Sequence, residues 1–323
     1  MRKIEALWKE AGVQQQIALD RCPVKLNKKH RVNVLALGDV GMTVLLGLKL
    51  LGGDVIESLG ICDINKANVD RLEIEMNQIR YPFGLQDMPK VYPVEEAQLF
   101  DCDVLVFCAS KGIPPIGVKG DVRMAQLEAN REIIAHYGAL AKKSNFQGLM
   151  AVVSDPVDPL CKAFLEASGL HPAQVQGYGL GVMNARACYY AEKDDRFASY
   201  LEEGRAYGPH GGDLVIANSV ADYDEALSRE LTDLTVNANM QVRELGYKPY
   251  IAPAISSAAI SILLTLRGEW HYGSLYLGDG ETGAFLGIKN RMTADGPVYE
   301  DLELPEALYA RIKNAYDNLC NLK

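Results

Sequence analysis

The stretch that decides the fold is Val32-Asn33-Val34-Leu35-Ala36-Leu37-Gly38-Asp39-Val40-Gly41-Met42-Thr43-Val44-Leu45-Leu46. An apolar run enters a glycine turn, and a second apolar run follows, so the stretch predicts a strand, a turn and a helix. Asp63 ends the next apolar run, 22 residues after Gly41. This layout is typical of a dinucleotide-binding βαβ unit.

The residues of the turn have distinct physical roles in that interpretation. The predicted cofactor-binding segment is Gly38, Asp39, Val40 and Gly41, where the backbone can approach a pyrophosphate at the N-terminus of a helix. The carboxylate of Asp63 would accept both hydroxyls of an adenosine ribose and repel a 2′-phosphate, which predicts NAD rather than NADP. The alternative is a plain strand-to-helix turn, because Ala36 interrupts the three-glycine pattern and helix-entry turns often hold glycine for backbone reasons alone.

Length and composition limit the class of protein. A chain of 323 residues is long enough for about two domains, and a net charge of −9 argues against general nucleic-acid binding. The seven cysteines include no CxxC pair, which predicts reduced thiols and a cytoplasmic protein. We expect no membrane span and no signal peptide, because no apolar block of sufficient length is present.

Short apolar runs alternate with helical patterns in the first half of the chain. This alternation predicts an α/β fold with a doubly wound, mostly parallel sheet of the Rossmann type. The four predicted strands are residues 31–37, 59–63, 104–108 and 149–153.

The pattern changes past residue 170. Residues 225–245 look helical, a largely apolar helix follows Pro253, and residues 273–288 alternate around the hairpin signal Gly278-Asp279-Gly280. We therefore predict two domains: residues 1–175, an N-terminal arm plus an NAD-binding domain, and residues 176–323, an α+β substrate domain. The helix after Pro253 is predicted to be buried or to lie at a subunit interface.

Four segments in order resemble the lactate/malate dehydrogenase family, and the resemblance covers nearly the whole chain. The first is the glycine turn with Asp63, and the second is Arg123, seven residues before Asn130. The other two are Ser154-Asp155-Pro156-Val157-Asp158 and the pair of boxes that hold Gly177-Tyr178-Gly179, Asn184-Ala185-Arg186 and Gly208-Pro209-His210-Gly211-Gly212-Asp213.

The resemblance implies a role for each polar residue. His210 would protonate the substrate carbonyl and act as the base in the reverse direction. Arg186 would bind the substrate carboxylate, and Arg123 would arrive with a closing loop and polarise the carbonyl. Asn130 and Ser154 would join the cofactor-binding residues, and no metal is implied.

Two departures from the family fall at the reacting centre. Met183 stands where the family has the aspartate that partners the catalytic histidine, and Asp155 stands where it has an asparagine. We hypothesise that Asp155 partners His210, which would favour the charged imidazole, or meets a cationic group on the substrate. The alternative is that catalysis has been lost and the chain only binds NAD.

The sequence thus predicts an NAD-dependent, L-lactate dehydrogenase-like oxidoreductase acting on a small 2-hydroxy or 2-oxo carboxylic acid. The alternatives are a dehydrogenase for an unusual, amino-bearing 2-oxo acid and a catalytically silent NAD-binding protein. The expected partners are the small-molecule acid and further copies of the chain in a homodimer or homotetramer, with neither nucleic acid nor membrane.

Overall fold

The computed structural model describes residues 1–111 and 122–322, with the side chains of residues 122–126 outside that description. The strands in it are β1 (His30–Leu35), β2 (Ile56–Cys62), β3 (Lys90–Pro93), β4 (Val104–Phe107), β5 (Leu149–Val152), β6 (Val175–Gly177), β7 (Arg205–Tyr207), β8 (Val215–Ala217), β9 (His271–Gly278), β10 (Gly283–Thr293) and β11 (Gly296–Tyr299). The helices are α1 (Glu5–Glu10), α2 (Asp39–Leu51), α3 (Lys66–Gln78), α4 (Val122–Lys143), α5 (Val157–Ser168), α6 (Leu180–Ala191), α7 (Tyr200–Glu203), α8 (Glu225–Glu244), α9 (Ser261–Arg267) and α10 (Glu306–Asn321).

The main sheet of the described chain runs in the order β11-β10-β9-β6-β5-β4-β1-β2-β3. The six strands from β3 to β6 are parallel to one another, and β9 to β11 are antiparallel. The strand order reverses between β1 and β4, and ligands of such sheets bind at the carboxyl ends of the strands flanking that point. The fold is therefore the predicted Rossmann-type α/β sheet.

Helices cover both faces of the parallel strands. One face packs against α2, α3 and α9, and the other packs against α4 and α5. Every residue of β4 and of β5 is buried, as expected for strands covered on both sides. Both faces of the parallel strands are thus covered, and a ligand of such a fold binds at the carboxyl ends of the strands.

The apolar helix predicted after Pro253 consists of π-helical turns over Pro253–Ile260, followed by α9. It packs on α2 within the same chain, where a methyl group on Gly47 would lie 2.6 Å from the Cβ of Ala259. Contacts within the chain therefore bury much of its apolar surface, and Ile260 stays exposed. The arm helix α1 also packs on its own chain, with Leu7 buried beside α10.

The predicted domain boundary falls within the last strand of the parallel sheet. A division after residue 175 would cut β6, which pairs with β5 and completes the parallel sheet at Gly177. The second half then adds β9 to β11 to the same sheet, through the pairing of Gly177 with Ser274. Among the described residues, no helix is long and apolar enough to cross a bilayer.

Candidate active site

The two glycines of the turn differ in what surrounds them. A methyl group on Gly41 would lie 1.9 Å from the carbonyl oxygen of Ala36, so only glycine lets α2 pack against the end of β1. A methyl group on Gly38, the N-cap of α2, would meet nothing within 4 Å. Gly41 therefore serves packing, whereas the open space at Gly38 fits the approach of a pyrophosphate to the helix N-terminus.

Ala36 takes a conformation that glycine would adopt more easily. Its φ is +70°, in the left-handed region, and its N–H donates to the carbonyl oxygen of Cys62 at 2.8 Å. A side chain in this region costs roughly 1–2 kcal/mol. The backbone thus keeps the course of a three-glycine turn although the first glycine is replaced.

Asp63 directly follows β2 and lies beside the turn. Its Oδ2 accepts a hydrogen bond from the N–H of Leu37 at 2.5 Å, and its Oδ1 accepts one from the N–H of Asn65 at 2.8 Å. Each carboxylate oxygen has a further lone pair. The side chain is therefore held at the turn and retains acceptors for ribose hydroxyls, so the residues present fit a bound dinucleotide.

The other two residues of the predicted cofactor segment begin α2. Asp39 is its first residue, and its Oδ2 accepts a hydrogen bond from the Nζ of Lys248 at 2.9 Å. Val40 packs partly against the core that lies beneath α2. The first turn of α2 therefore carries an acidic side chain that a lysine from the second half neutralises.

Ser154 and Asn130 fix the backbone at the carboxyl ends of β4 and β5. The hydroxyl of Ser154 donates to the carbonyl oxygen of Ala109 at 2.7 Å. The buried amide of Asn130 accepts from the N–H of Lys111 at 2.9 Å and donates to the carbonyl oxygen of Asp155 at 2.9 Å. In this structure both side chains position the loops that carry Asp155.

His210 and Asp155 lie together where β5 and the loop after β7 meet. Nδ1 of His210 is 3.5 Å from Oδ1 of Asp155, which is an ion-pair distance rather than a short hydrogen bond. Gly179 makes room for the imidazole, because a methyl group there would lie 3.1 Å from the Cβ of His210. The histidine side chain is 18% exposed and the aspartate side chain 57%.

Arg186 and Met183 lie three residues apart on α6. The guanidinium of Arg186 donates to the Sδ of Met183 at 3.6 Å, and Met183 is buried. Burial lowers the pKa of Arg186, and the charges of Tyr190 and Asp155 act in the opposite direction. No ion pair among residues 1–111 and 122–322 includes Arg186, and a half-buried guanidinium is a group well suited to bind a carboxylate.

Arg123 belongs to the first turn of α4, and its side chain lies outside the described residues. Most of the predicted lid, residues 112–121, also lies outside them. The structure thus brings Asp155 and His210 together and places Arg186 within electrostatic reach of Asp155. Sequence reasoning missed the contact of Lys248 with Asp39, because Lys248 belongs to none of the motifs and follows the turn at Gly246 that ends α8.

Comparison with known proteins gives concordant matches. Residues 30–177 match the model of the lactate/malate dehydrogenase NAD-binding domain. An L-lactate dehydrogenase of Treponema denticola is 30% identical over 189 residues, which are 57% of this chain and 56% of that protein. An L-lactate dehydrogenase of Mycoplasma genitalium is 29% identical over 198 residues, 58% of each chain. The matches thus span little more than half the length of these relatives.

Solved structures extend the likeness to most of the fold. A lactate dehydrogenase from a Medee basin deep-sea metagenome library superposes with a TM-score of 0.74 at 20% identity, over 90% of this chain and 96% of that chain. The malate dehydrogenase of Picrophilus torridus gives a TM-score of 0.71 at 19% identity, over 90% and 94%. Residues 30–177 are therefore similar to the NAD-binding domain of lactate/malate dehydrogenases, and the solved structures show that most of the chain shares the fold of these proteins.

Proposed function

We propose that the protein is an NAD-dependent oxidoreductase that interconverts a small 2-hydroxy acid and its 2-oxo acid, as an L-lactate dehydrogenase does. The observation that carries the proposal is the pairing of His210 with Asp155 at 3.5 Å, beside the half-buried guanidinium of Arg186. Such a set offers a proton donor, a carboxylate that favours its charged form and a cation for the acid group of a substrate.

In the proposed mechanism, Arg186 binds the substrate carboxylate through two parallel hydrogen bonds and so fixes the carbonyl carbon. His210 donates a proton to the carbonyl oxygen during reduction and removes it during oxidation. Asp155 stabilises the imidazolium before the proton is transferred. Bound NAD supplies the hydride chemistry, and Gly38, Asp63 and the N-terminus of α2 are the groups that would hold it.

The remaining predicted residues complete the proposed site. Arg123 would polarise the carbonyl as negative charge develops on its oxygen. Ser154 and Asn130 hold the backbone around Asp155, which would keep that carboxylate against His210. These residues would also border the nicotinamide end of the cofactor. No metal takes part in the proposed reaction.

The direct test is NADH oxidation, followed at 340 nm, against a panel of 2-oxo acids. We expect turnover with at least one small acid, and a fall of about 10³-fold in His210→Asn with an unchanged dissociation constant for NADH. NADH binding without turnover on any acid would contradict this proposal and favour a catalytically silent NAD-binding protein.

A second candidate is a dehydrogenase for an amino-bearing 2-oxo acid. It is supported by the exposure of Asp155, whose side chain is 57% accessible and so has surface left for a substrate cation. The panel therefore includes matched acids with and without an amino group. A preference for the amino-bearing 2-oxo acid over its matched acid would favour this candidate if it disappears in Asp155→Asn. The carboxylate of Asp155 would then be part of substrate recognition.

We also propose a cytoplasmic homodimer or homotetramer. The family resemblance suggests the assembly, and the scattered reduced cysteines suggest the compartment. Light scattering coupled to gel filtration measures the mass directly, and a mass equal to the 35.4 kDa of one chain would contradict the assembly.

A further inference from the structure

A lysine from the second half of the chain reaches the cofactor turn in the first. Lys248 lies between α8 and the π-helical turns, and its Nζ is 2.9 Å from Oδ2 of Asp39, the first residue of α2. The two residues are 209 positions apart in the sequence. The lysine side chain is 80% exposed and that of Asp39 46%, so the ion pair borders solvent and not the core.

Asp39 creates an electrostatic conflict at this place. A carboxylate in the first turn stabilises a helix, because it complements the helix dipole. The same N-terminus is where the open space at Gly38 admits a pyrophosphate. A second anion beside Asp39 is repelled unless a cation offsets the carboxylate, and the ammonium of Lys248 lies on that carboxylate.

We propose that Lys248 is a cofactor-positioning residue, which offsets the charge of Asp39 and thereby admits the pyrophosphate to the N-terminus of α2. The inference rests on the proposed function, because it assigns a residue to the same cofactor site. The hydrogen bond with Asp39 raises the pKa of Lys248, which keeps the ammonium charged.

The position of Lys248 gives the proposal a further consequence. The lysine precedes the helix that packs on α2 through Ala259 and Gly47, so the second half of the chain contacts α2 at two points. Affinity for the pyrophosphate then depends on a residue outside residues 30–177, which are similar to the NAD-binding domain. The second half would therefore contribute to binding of the cofactor as well as of the acid.

Dissociation constants for NADH, ADP and adenosine, measured by calorimetry, test the proposal without an activity readout. We expect Lys248→Gln to weaken NADH and ADP by about tenfold and to leave adenosine unchanged, since hydrogen bonds to charged groups carry effects of this size. Raising the salt concentration should shrink the difference. Lys248→Arg should keep the wild-type affinity, and the double variant Asp39→Asn with Lys248→Gln should return to within about threefold of it.

Lys3→Gln is the matched control, because Lys3 is also an exposed lysine paired with an aspartate, Asp301, at 2.7 Å. A Lys248→Gln variant that binds NADH as tightly as Lys3→Gln overturns the inference. So does an equal loss for adenosine, which would indicate a structural defect, or a double variant as weak as the single one. A wild-type protein that binds neither NADH nor ADP overturns the proposed function itself, so the two failures are distinguishable.

Discussion

The predicted cofactor turn and the proposed reacting centre differ in how they accommodate residues that depart from the expected pattern. At the turn, Ala36 replaces a glycine, yet the backbone keeps a φ of +70° and the hydrogen bond to Cys62. At the proposed reacting centre, Met183 stands where the family resemblance implies an aspartate, and the carboxylate near His210 is instead Asp155. A site built from backbone groups tolerates the change of one side chain, whereas a site built from side chains changes its chemistry.

The prediction with the largest effect concerns the relocated carboxylate. Asp155→Asn should lower turnover by about 10²-fold, because the imidazolium of His210 loses the anion that favours it. Adding Met183→Asp to this variant restores a carboxylate on α6, where the family has it, and should recover about tenfold of the loss. Steady-state kinetics with NADH and the best acid of the panel measure both steps.

The control for this pair is Asp101→Asn, which removes an exposed carboxylate at the opposite end of the strands. Turnover by this variant should equal that of the wild type. If Asp155→Asn also keeps wild-type turnover, the carboxylate is not the partner of His210. The difference drawn above between the cofactor turn and the reacting centre would then be wrong.

The two glycines of the turn should respond differently to the same methyl group. Gly41→Ala should lower the free energy of unfolding by about 2–3 kcal/mol, because its Cβ would lie 1.9 Å from the carbonyl oxygen of Ala36. Gly38→Ala should change it by less than about 1 kcal/mol and should weaken NADH binding, because the methyl group enters the open space. Urea unfolding and NADH titration of both variants are the measurements. An equal loss of stability in the two variants would contradict the assignment of Gly41 to packing and of Gly38 to cofactor binding.

Asp158 provides a neutral carboxyl group for comparison with Asp155 in the same motif. Burial raises the pKa of Asp158 to about 7, although a hydrogen bond with Ser274 lowers it. The native state therefore binds more protons than the unfolded state between about pH 4 and 7, and this group's contribution to stability is lost as the pH rises through that range.

Asp158→Asn should remove this loss, since an amide does not titrate. We expect the variant to gain about 2 kcal/mol relative to the wild type between pH 5 and pH 7.5. Burial also lowers the pKa of His271 to about 4, which gives a slope of the opposite sign. The contribution of His271 is the same in wild type and variant, so it cancels in the difference between their free energies of unfolding. A difference that stays constant at all pH values would contradict the prediction.

The smallest expected effect is at Ala36. Ala36→Gly should raise the free energy of unfolding by about 0.5 kcal/mol, because relief of the left-handed conformation is partly offset by the greater freedom of glycine in the unfolded chain. Thermal unfolding of this variant measures it. A loss of stability would show that the turn is not strained by its alanine.

Much of the first half was predictable because its signals are local. The apolar run, the glycines and Asp63 follow from short-range rules, and β1 and α2 lie where these rules place them. The strands β3 and β6 were missed, because they have only four and three residues and are held by pairing with distant strands. The same holds for the continuation of the sheet through β9, which joins residues far apart in the chain.

The site was predictable as a set of residues but not as an arrangement. The boxes around Asp155, Arg186 and His210 are visible in the sequence, and the pairing of Asp155 with His210 followed only as one of two hypotheses. The contact of Arg186 with Met183 depends on how α6 packs. The contact of Lys248 with Asp39 depends on the whole fold, because no local pattern relates residues 209 positions apart.

The single amide of Asn130, which bonds both the Lys111 N–H and the Asp155 carbonyl, has a thermodynamic consequence. A ligand that displaces the backbone at Lys111 must also do work on the loop that carries the carboxylate next to His210. Linkage is reciprocal, so a movement of the loop at Asp155 alters the free energy of displacing Lys111 by the same amount as displacement of Lys111 alters the free energy of that movement. The position of the backbone at Lys111 and the position of the loop that carries Asp155 are therefore thermodynamically coupled.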